Sequence, residues 1–151
     1  MTVTIEKIQN KIATILFNLC PVPWDSIYLF GEGTDFNACQ YFCVKESQTK
    51  VIISSNYFFN RYDKETESKK VDYYDEVNGL LIELHQAYTK TFGKEKSWTT
   101  ATFIVQSNGK FDIDFTYDKK LYKTRTEWEI KYFGEPVKFI QVKYPGTTAI
   151  K

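Results

Sequence analysis

The sequence predicts an α+β fold: an antiparallel sheet of about five or six strands, two long helices packed on one face, and a short C-terminal helix. Three observations predict it. Apolar residues recur at steps of three and four in two well-separated stretches. Strand-like runs with short connections lie between those stretches, and an Asn-Gly turn further on joins two strictly alternating runs. A striped helix and a one-sided sheet must bury their apolar surfaces against each other, which stacks them in layers.

The first helix carries Ile5, Ile8, Ile12, Ile15, Leu16 and Leu19 on one face and is expected over about residues 3–19. Thr2 or Thr4 can cap it. Pro21 and Pro23 end it, because proline has no N–H for the ladder and forces the residue before it into extended geometry. Three strand-like stretches follow, Ser26 to Phe30, Asn37 to Val44 and Lys50 to Ser54, punctuated by Gly31, Gly33 and the segment from Lys45 to Thr49. Their connections are too short for parallel crossovers, so they form an antiparallel meander. Residues 60–70 are charged and aperiodic, which reads as a solvated loop.

The second helix has Asp72 as its cap, Asp75 in its first turn, and Tyr74, Val77, Leu80, Leu81, Leu84 and Tyr88 on its apolar face. Gly93 suits its left-handed exit. Thr99 to Gln106 and Lys110 to Tyr117 then alternate around Ser107-Asn108-Gly109. A two-residue turn would set Val105 across from Asp112 and Phe103 across from Asp114, mixing apolar and charged residues on both faces. A three-residue loop with Gly109 at a left-handed bulge pairs Val105 with Phe111, Phe103 with Ile113 and Ala101 with Phe115, making one face wholly apolar. The bulged hairpin is therefore expected, with Thr100, Thr102, Ile104, Asp112, Asp114 and Thr116 on the other face. A short helix is expected around Arg125 to Phe133, then a strand-like stretch from Val137 to Val142, and fraying at Pro145-Gly146-Thr147-Thr148.

With 151 residues the chain fits a single domain, 1–151, and can bury enough apolar surface to fold unaided. Its 12 Phe, 11 Tyr and 3 Trp suit both a half-wet sheet and a binding surface. The 20 Lys+Arg against 19 Asp+Glu give no net field to draw in nucleic acid or an anionic membrane. Cys20, Cys39 and Cys43 are too few for a disulfide framework and read as buried small apolar side chains in a reducing compartment. The amino terminus is broken by charge at once, with no apolar run for a signal or a span, so the expected location is cytoplasmic.

No catalytic, cofactor-binding or metal motif stands out. His85 is a single helical histidine without identifiable partners and reads as a partly buried side chain. Asp112, Asp114 and Asp118 could in principle hold Mg²⁺, but without a nearby histidine or lysine motif they read as a solvated strand face. A nucleic-acid-binding module using an aromatic sheet is the alternative reading. Such platforms need exposed aromatics among basic residues, whereas here the hairpin aromatics fall on the apolar face and the other face is acidic.

Ser97-Trp98-Thr99-Thr100-Ala101-Thr102-Phe103, Gly109 and Phe111-Asp112-Ile113-Asp114-Phe115-Thr116-Tyr117 together resemble the central hairpin of the YezG/EsaG-type immunity proteins. Ile12 to Ile15 leading into Pro21-Val22-Pro23-Trp24-Asp25-Ser26-Ile27-Tyr28 is similar to that family's first helix, proline break and Trp-containing strand. Trp128 to Gly134 resembles its C-terminal aromatic-Lys-Tyr-x-Gly element. The segment from Lys45 to Lys70 has no counterpart in the pattern, and Glu135-Pro136 departs from its apolar-Pro ending. The resemblance implies a non-enzymatic antitoxin that binds a nuclease exported by a type VII-like secretion system and neutralises it in the producing cell.

The pattern supplies no catalytic residue. Trp24, Trp98, Phe103, Phe115 and Tyr117 are expected in the core. Partner binding is then assigned to Asp112, Asp114, Asp118, Glu127, Trp128 and Glu129, carboxylates steering a basic toxin surface and Trp128 anchoring it. No cofactor, metal, membrane or direct nucleic-acid contact is expected. A Tyr-rich exposed sheet face would allow a weak homodimer.

Overall fold

The first apolar stripe forms helix α1 (Thr2–Phe17), which buries Ile5, Ile8, Ile12 and Leu16. The computed structural model describes residues 2–62, 70–117, 134 and 137–150. After the Pro21/Pro23 break come strands β1 (Trp24–Gly33), β2 (Ala38–Glu46) and β3 (Val51–Ser54). Helices α2 (Ser55–Arg61) and α3 (Lys70–Phe92), a single 3-10 turn (Lys94–Lys96) and the hairpin strands β4 (Thr100–Gln106) and β5 (Phe111–Thr116) follow. Helical residues 137–143, here α4, lead into β6 (Thr148–Ile150).

The six strands form one sheet in the order β5-β4-β1-β2-β3-β6. All pairs are antiparallel except β3 with β6, which is parallel. That pair corrects the all-antiparallel expectation. The chain returns across the sheet through α4 and enters the β3 edge running in the β3 direction, as only a crossover connection permits.

The period-two alternation divides the sheet into two faces. Ile27, Leu29, Phe42, Val44, Ile53, Ala101, Phe103 and Val105 share one core with α1, α2 and α3. On the other face Tyr28, Phe30, Tyr41, Cys43 and Ile52 pack with Val137 and Ile140 of α4. The second cluster corrects the strand expected at Val137 to Val142. Val137, Ile140 and Tyr144 follow helical spacing, and the stripe is too short to distinguish from alternation without the face it covers.

The hairpin has the register expected of a bulged turn: Val105 pairs with Phe111, Phe103 with Ile113 and Ala101 with Phe115, and Gly109 has φ 90°. Gly31 and Gly33, read as strand breakers, lie inside β1 instead. A Cβ at Gly33 would stand 2.7 Å from the buried ring of Trp98, and one at Gly31 would stand 3.0 Å from Leu81. Both positions are bare so that α3 and Trp98 can approach the strand backbone.

α3 begins at Lys70, so Asp72 lies within its first turn rather than capping it. Tyr73, not Tyr74, is the tyrosine it buries; Tyr73 donates to Gln40 Oε1 at 2.6 Å, and Gln40 Nε2 donates to Asn78 Oδ1 at 2.7 Å. Burial pushes the Tyr73 hydroxyl well above its ordinary range. α2 was not foreseen. It drives Phe58 and Phe59 against Phe42, with ring centroids 5.3 and 6.0 Å apart.

The expected tail fraying is also corrected. Gly146 turns the chain at φ 83°, Thr147 Oγ1 donates to the Tyr144 carbonyl at 2.9 Å, and the Thr148 amide donates to the Lys50 carbonyl at 2.8 Å. The helix expected over Arg125 to Phe133 lies outside the described residues.

Candidate partner-binding surfaces

β5 stands at one margin of the sheet, and among the described residues no strand pairs with its outer edge. Asp112 and Asp114 are exposed there, on the α4 side of the sheet, opposite Ile104 and Thr102 of β4. Asp118, Glu127, Trp128 and Glu129 lie outside the described residues. Of the aromatics expected in the core, Trp24, Trp98 and Phe103 are buried and Phe115 is half-buried, but Tyr117 is 53% exposed. β5 ends at Thr116, so the alternation that would have turned Tyr117 inward stops one residue before it.

A second surface lies at the end of the sheet where β1 turns into β2. Thr34 organises this turn: its amide donates to the Asn37 carbonyl at 2.8 Å, and its hydroxyl accepts from the Phe36 and Asn37 amides at 3.2 and 3.0 Å. Asp35 ties the turn to the last turns of α3. His85 Nδ1 donates to Asp35 Oδ1 at 2.6 Å, Thr89 Oγ1 donates to the same oxygen at 3.1 Å, and Gln86 Nε2 donates to the Asp35 carbonyl at 2.7 Å. With its proton committed to Asp35, Thr89 accepts from Ser97 Oγ at 2.6 Å. These contacts, the His85 hydrogen bond above all, hold the Asp35 carboxyl below the ordinary carboxylate range.

An Asp–His pair near a serine invites a catalytic reading, and the geometry gives it another role. The His85 ring packs edge-on against Trp98 with centroids 5.1 Å apart, and the Ser97 hydroxyl is directed at Thr89 and not at the imidazole. A nucleophile must lie within hydrogen-bond reach of its base. The cluster is a clamp, and what it holds outward is Phe36, 84% exposed. His85 is thus partly buried, as expected, but its partners Asp35 and Thr89 were not legible. The available signal was an aromatic inside a polar turn, Thr34-Asp35-Phe36-Asn37.

The opposite end of the meander is held differently. A bulge at Asp25 lets its carboxylate accept from Lys45 Nζ at 3.0 Å and from Ser47 Oγ at 3.0 Å. Lys45, whose side chain is only 4% exposed, also donates to the Glu46 carbonyl at 2.6 Å and lies over the Tyr144 ring at 5.1 Å. Glu46 points to the other face, where Arg61 Nε donates to it at 2.5 Å and the Tyr62 hydroxyl donates as well. Burial raises the Glu46 carboxyl, but the hydrogen bonds from Arg61 and Tyr62 outweigh it and hold the group below its ordinary range. Arg61 and Tyr62 belong to the stretch read as a solvated loop, which this ion pair corrects.

The cysteines divide. Cys43 is buried and its thiol is pushed up to about 12 by desolvation; Cys20 is half-buried and raised for the same first reason. Cys39 is exposed, against expectation, because it faces outward near the open end of β2. Among the described residues no group of three His, Cys, Asp or Glu side chains could hold a metal ion, and no helix is long and apolar enough to cross a membrane.

These features define a class: an α+β protein with buried ionic clasps and exposed side chains held in fixed positions, arranged to present surface. The chain belongs to the YezG-like immunity protein family, whose model matches residues 5–139. It is similar to Immunity protein YezG of Bacillus subtilis (strain 168), with 24% identity over 140 residues covering 85% of this chain and 87% of that one. It is also similar to Immunity protein YezG of Bacillus spizizenii, with 23% identity over 116 residues covering 74% of this chain and 67% of that one.

Proposed function

We propose that this chain is an antitoxin that binds a cognate secreted nuclease toxin in the cytoplasm of the producing bacterium and blocks it without catalysing a reaction. The observation that carries this reading is the family match over residues 5–139. Two features support it: Asp35 with His85, Asp25 with Lys45 and Glu46 with Arg61 serve as clasps, and Phe36, Asp112 and Asp114 are exposed for contact. The acidic outer face of β5, Asp112 and Asp114, meets a basic surface of the nuclease, with Asp118, Glu127, Trp128 and Glu129 extending the contact. Complementary charge speeds encounter more than it tightens the complex, so its mark is on the association rate at low salt. A weak homodimer would compete with the toxin for exposed sheet surface; Tyr28 and Tyr41, expected on an open Tyr-rich face, are buried beneath α4.

Co-expression tests the function. The toxin is to be sought as a nuclease domain at the C-terminus of a secreted protein whose gene adjoins that of this chain; cells producing it should survive only when the chain is present, and the purified chain should inhibit that nuclease in vitro. Continued DNA or RNA cleavage at equimolar chain would end the reading. Asp112→Ala with Asp114→Ala should slow association roughly tenfold at low salt and much less at high salt; rates equal to wild type would remove these carboxylates from the interface.

A further inference from the structure

The clamped turn at Thr34–Asn37 has a feature that stability does not account for. Asp35, His85, Thr89, Gln86 and Ser97 are committed to fixing a four-residue turn whose outward side chain is a phenylalanine in water. A single exposed apolar residue is ordinary on a flexible loop. One on a turn held by hydrogen bonds to the Asp35 carboxylate and by its own internal hydrogen bonds has already lost the backbone freedom that binding would otherwise remove, which is what distinguishes an anchor from a stray side chain.

Phe36 is also not alone at this end. Thr89 bonds both Asp35 and Ser97, the residue that follows Lys94–Lys96, which puts the 3-10 turn beside the clamped loop. Phe92, 48% exposed, precedes that turn, and its ring lies 5.3 Å from that of Tyr88. Tyr88 packs 5.0 Å from Phe115, and Tyr117 follows at the end of β5, where Thr116 pairs with Thr100 and Thr100 with Glu32 beside the turn. Three exposed aromatics, Phe36, Phe92 and Tyr117, therefore share one end of the molecule with the exposed Lys90, Lys94 and Lys96, against Glu95, the half-buried Glu32 and the already engaged Asp35.

We infer that this end is the anchoring surface for the toxin, with Phe36 as its central contact; the inference rests on the antitoxin reading given above. The occupant is a protein surface with an apolar pocket of phenyl size, ringed by carboxylates or carbonyl oxygens that meet Lys94 and Lys96. Aromatic side chains with few rotatable bonds in a rigid setting are the residues that dominate interface energetics, and a ring of charges around them sets orientation. The acidic margin of β5 continues from Tyr117 away from this end, so the whole surface is bipolar: lysines around the aromatics, carboxylates along the strand. A partner surface of matching polarity could dock in one orientation only.

The experiment measures dissociation constants between the full chain and the purified, catalytically inactivated nuclease domain of the secreted protein encoded beside it. Phe36→Ala should weaken binding by about 30-fold or more, with an unchanged thermal midpoint, while Val142→Ala, an equally exposed apolar residue on α4, should bind as wild type does. Asp35→Ala should weaken binding by several-fold with Phe36 present and by almost nothing in the Phe36→Ala background, since the clamp acts through the ring it holds. Lys94→Glu with Lys96→Glu should weaken binding and flatten its salt dependence.

Wild-type affinity in Phe36→Ala, alongside a tight wild-type complex, would overturn this surface and leave the antitoxin reading intact. A wild-type chain that does not bind the nuclease domain would overturn both. Phe36-dependent binding of a single-stranded oligonucleotide, with toxin binding untouched by the substitution, would overturn the protein occupant in favour of nucleic acid.

Discussion

The two ends of the β1–β2 meander are built from the same material and put to opposite use. At one end Lys45 and Glu46, adjacent in sequence, point to opposite faces of the sheet. Lys45 grips Asp25 beneath the Tyr144 ring, and Glu46 grips Arg61 and Tyr62. There Lys45 and Glu46 are buried, and the side chains of their partners Asp25 and Arg61 are partly buried. At the other end Asp35 also grips His85 and Thr89, yet the next residue along, Phe36, is pushed into solvent. A clasp that fastens layers to each other contributes to stability. A clasp that fastens a turn to a helix while leaving its aromatic outside contributes position, and its worth appears only when something binds.

Substitutions at the two ends should therefore differ in what they cost. The largest effect should come from the support beneath the display end. Trp98 is fully buried between Gly33, His85 and Phe115, and Trp98→Ala should cost about 3–5 kcal/mol of unfolding free energy by urea titration. A loss under about 1 kcal/mol would mean that the α3 end does not depend on this packing.

Next in size is the clasp at the other end. Glu46→Ala strips Arg61 and Tyr62 of their acceptor and should cost about 2–3 kcal/mol, short of the full penalty for breaking a buried pair because a third of the Arg61 side chain remains in solvent. The pH dependence follows from the direction of the shifts. The folded Glu46 and Asp35 carboxyls both titrate below their ordinary values, so the stability they contribute is complete above the ordinary carboxylate range and is lost as pH falls through the lower folded values. The urea midpoint should therefore drop between about pH 5 and about pH 3, and drop less in Glu46→Gln. A midpoint as steep in that variant as in wild type would assign the acid sensitivity elsewhere.

Smallest of all should be the stability effects at the display end itself. Asp35→Ala, losing a pair whose carboxylate is partly solvated, should cost under about 1 kcal/mol. Phe36→Ser should change stability by less than about 0.5 kcal/mol, the ordinary range for surface substitutions. If Phe36→Ser instead destabilised the chain by a kilocalorie or more, the ring would be part of the fold and the contrast between the two ends would disappear.

Where local periodicity was long enough, the fold was legible from residues alone. Five of the six apolar positions read for the first helix lie in α1, with Leu19 just past its end at Phe17; these, the stripe of α3 and above all the hairpin register followed from spacing, because a one-residue slip in the hairpin would have put Asp112 and Asp114 against the core. Legibility failed in short segments. The strand reading of residues 137–142, the missing α2 and the supposed fraying after Pro145 each involved a few residues whose pattern fits more than one period. The exposed carboxylates Asp112 and Asp114 could be read off β5 by alternation, whereas Phe36 could not be recognised as displayed, since nothing near it in sequence announces His85 or Thr89.

Residues close in the chain enforce the helix and strand periods, the bulged turn at Gly109 and the proline break, and these elements in this order carry the family resemblance. Which distant polar side chains meet depends on packing. Asp35 with His85 and Glu46 with Arg61 are pairings across turns and layers, and a side chain's partner over such a gap is set by how elements pack and not by the period that formed them. The same reason applies to Gly31 and Gly33, whose bare backbone has meaning only once Leu81 and Trp98 lie against it.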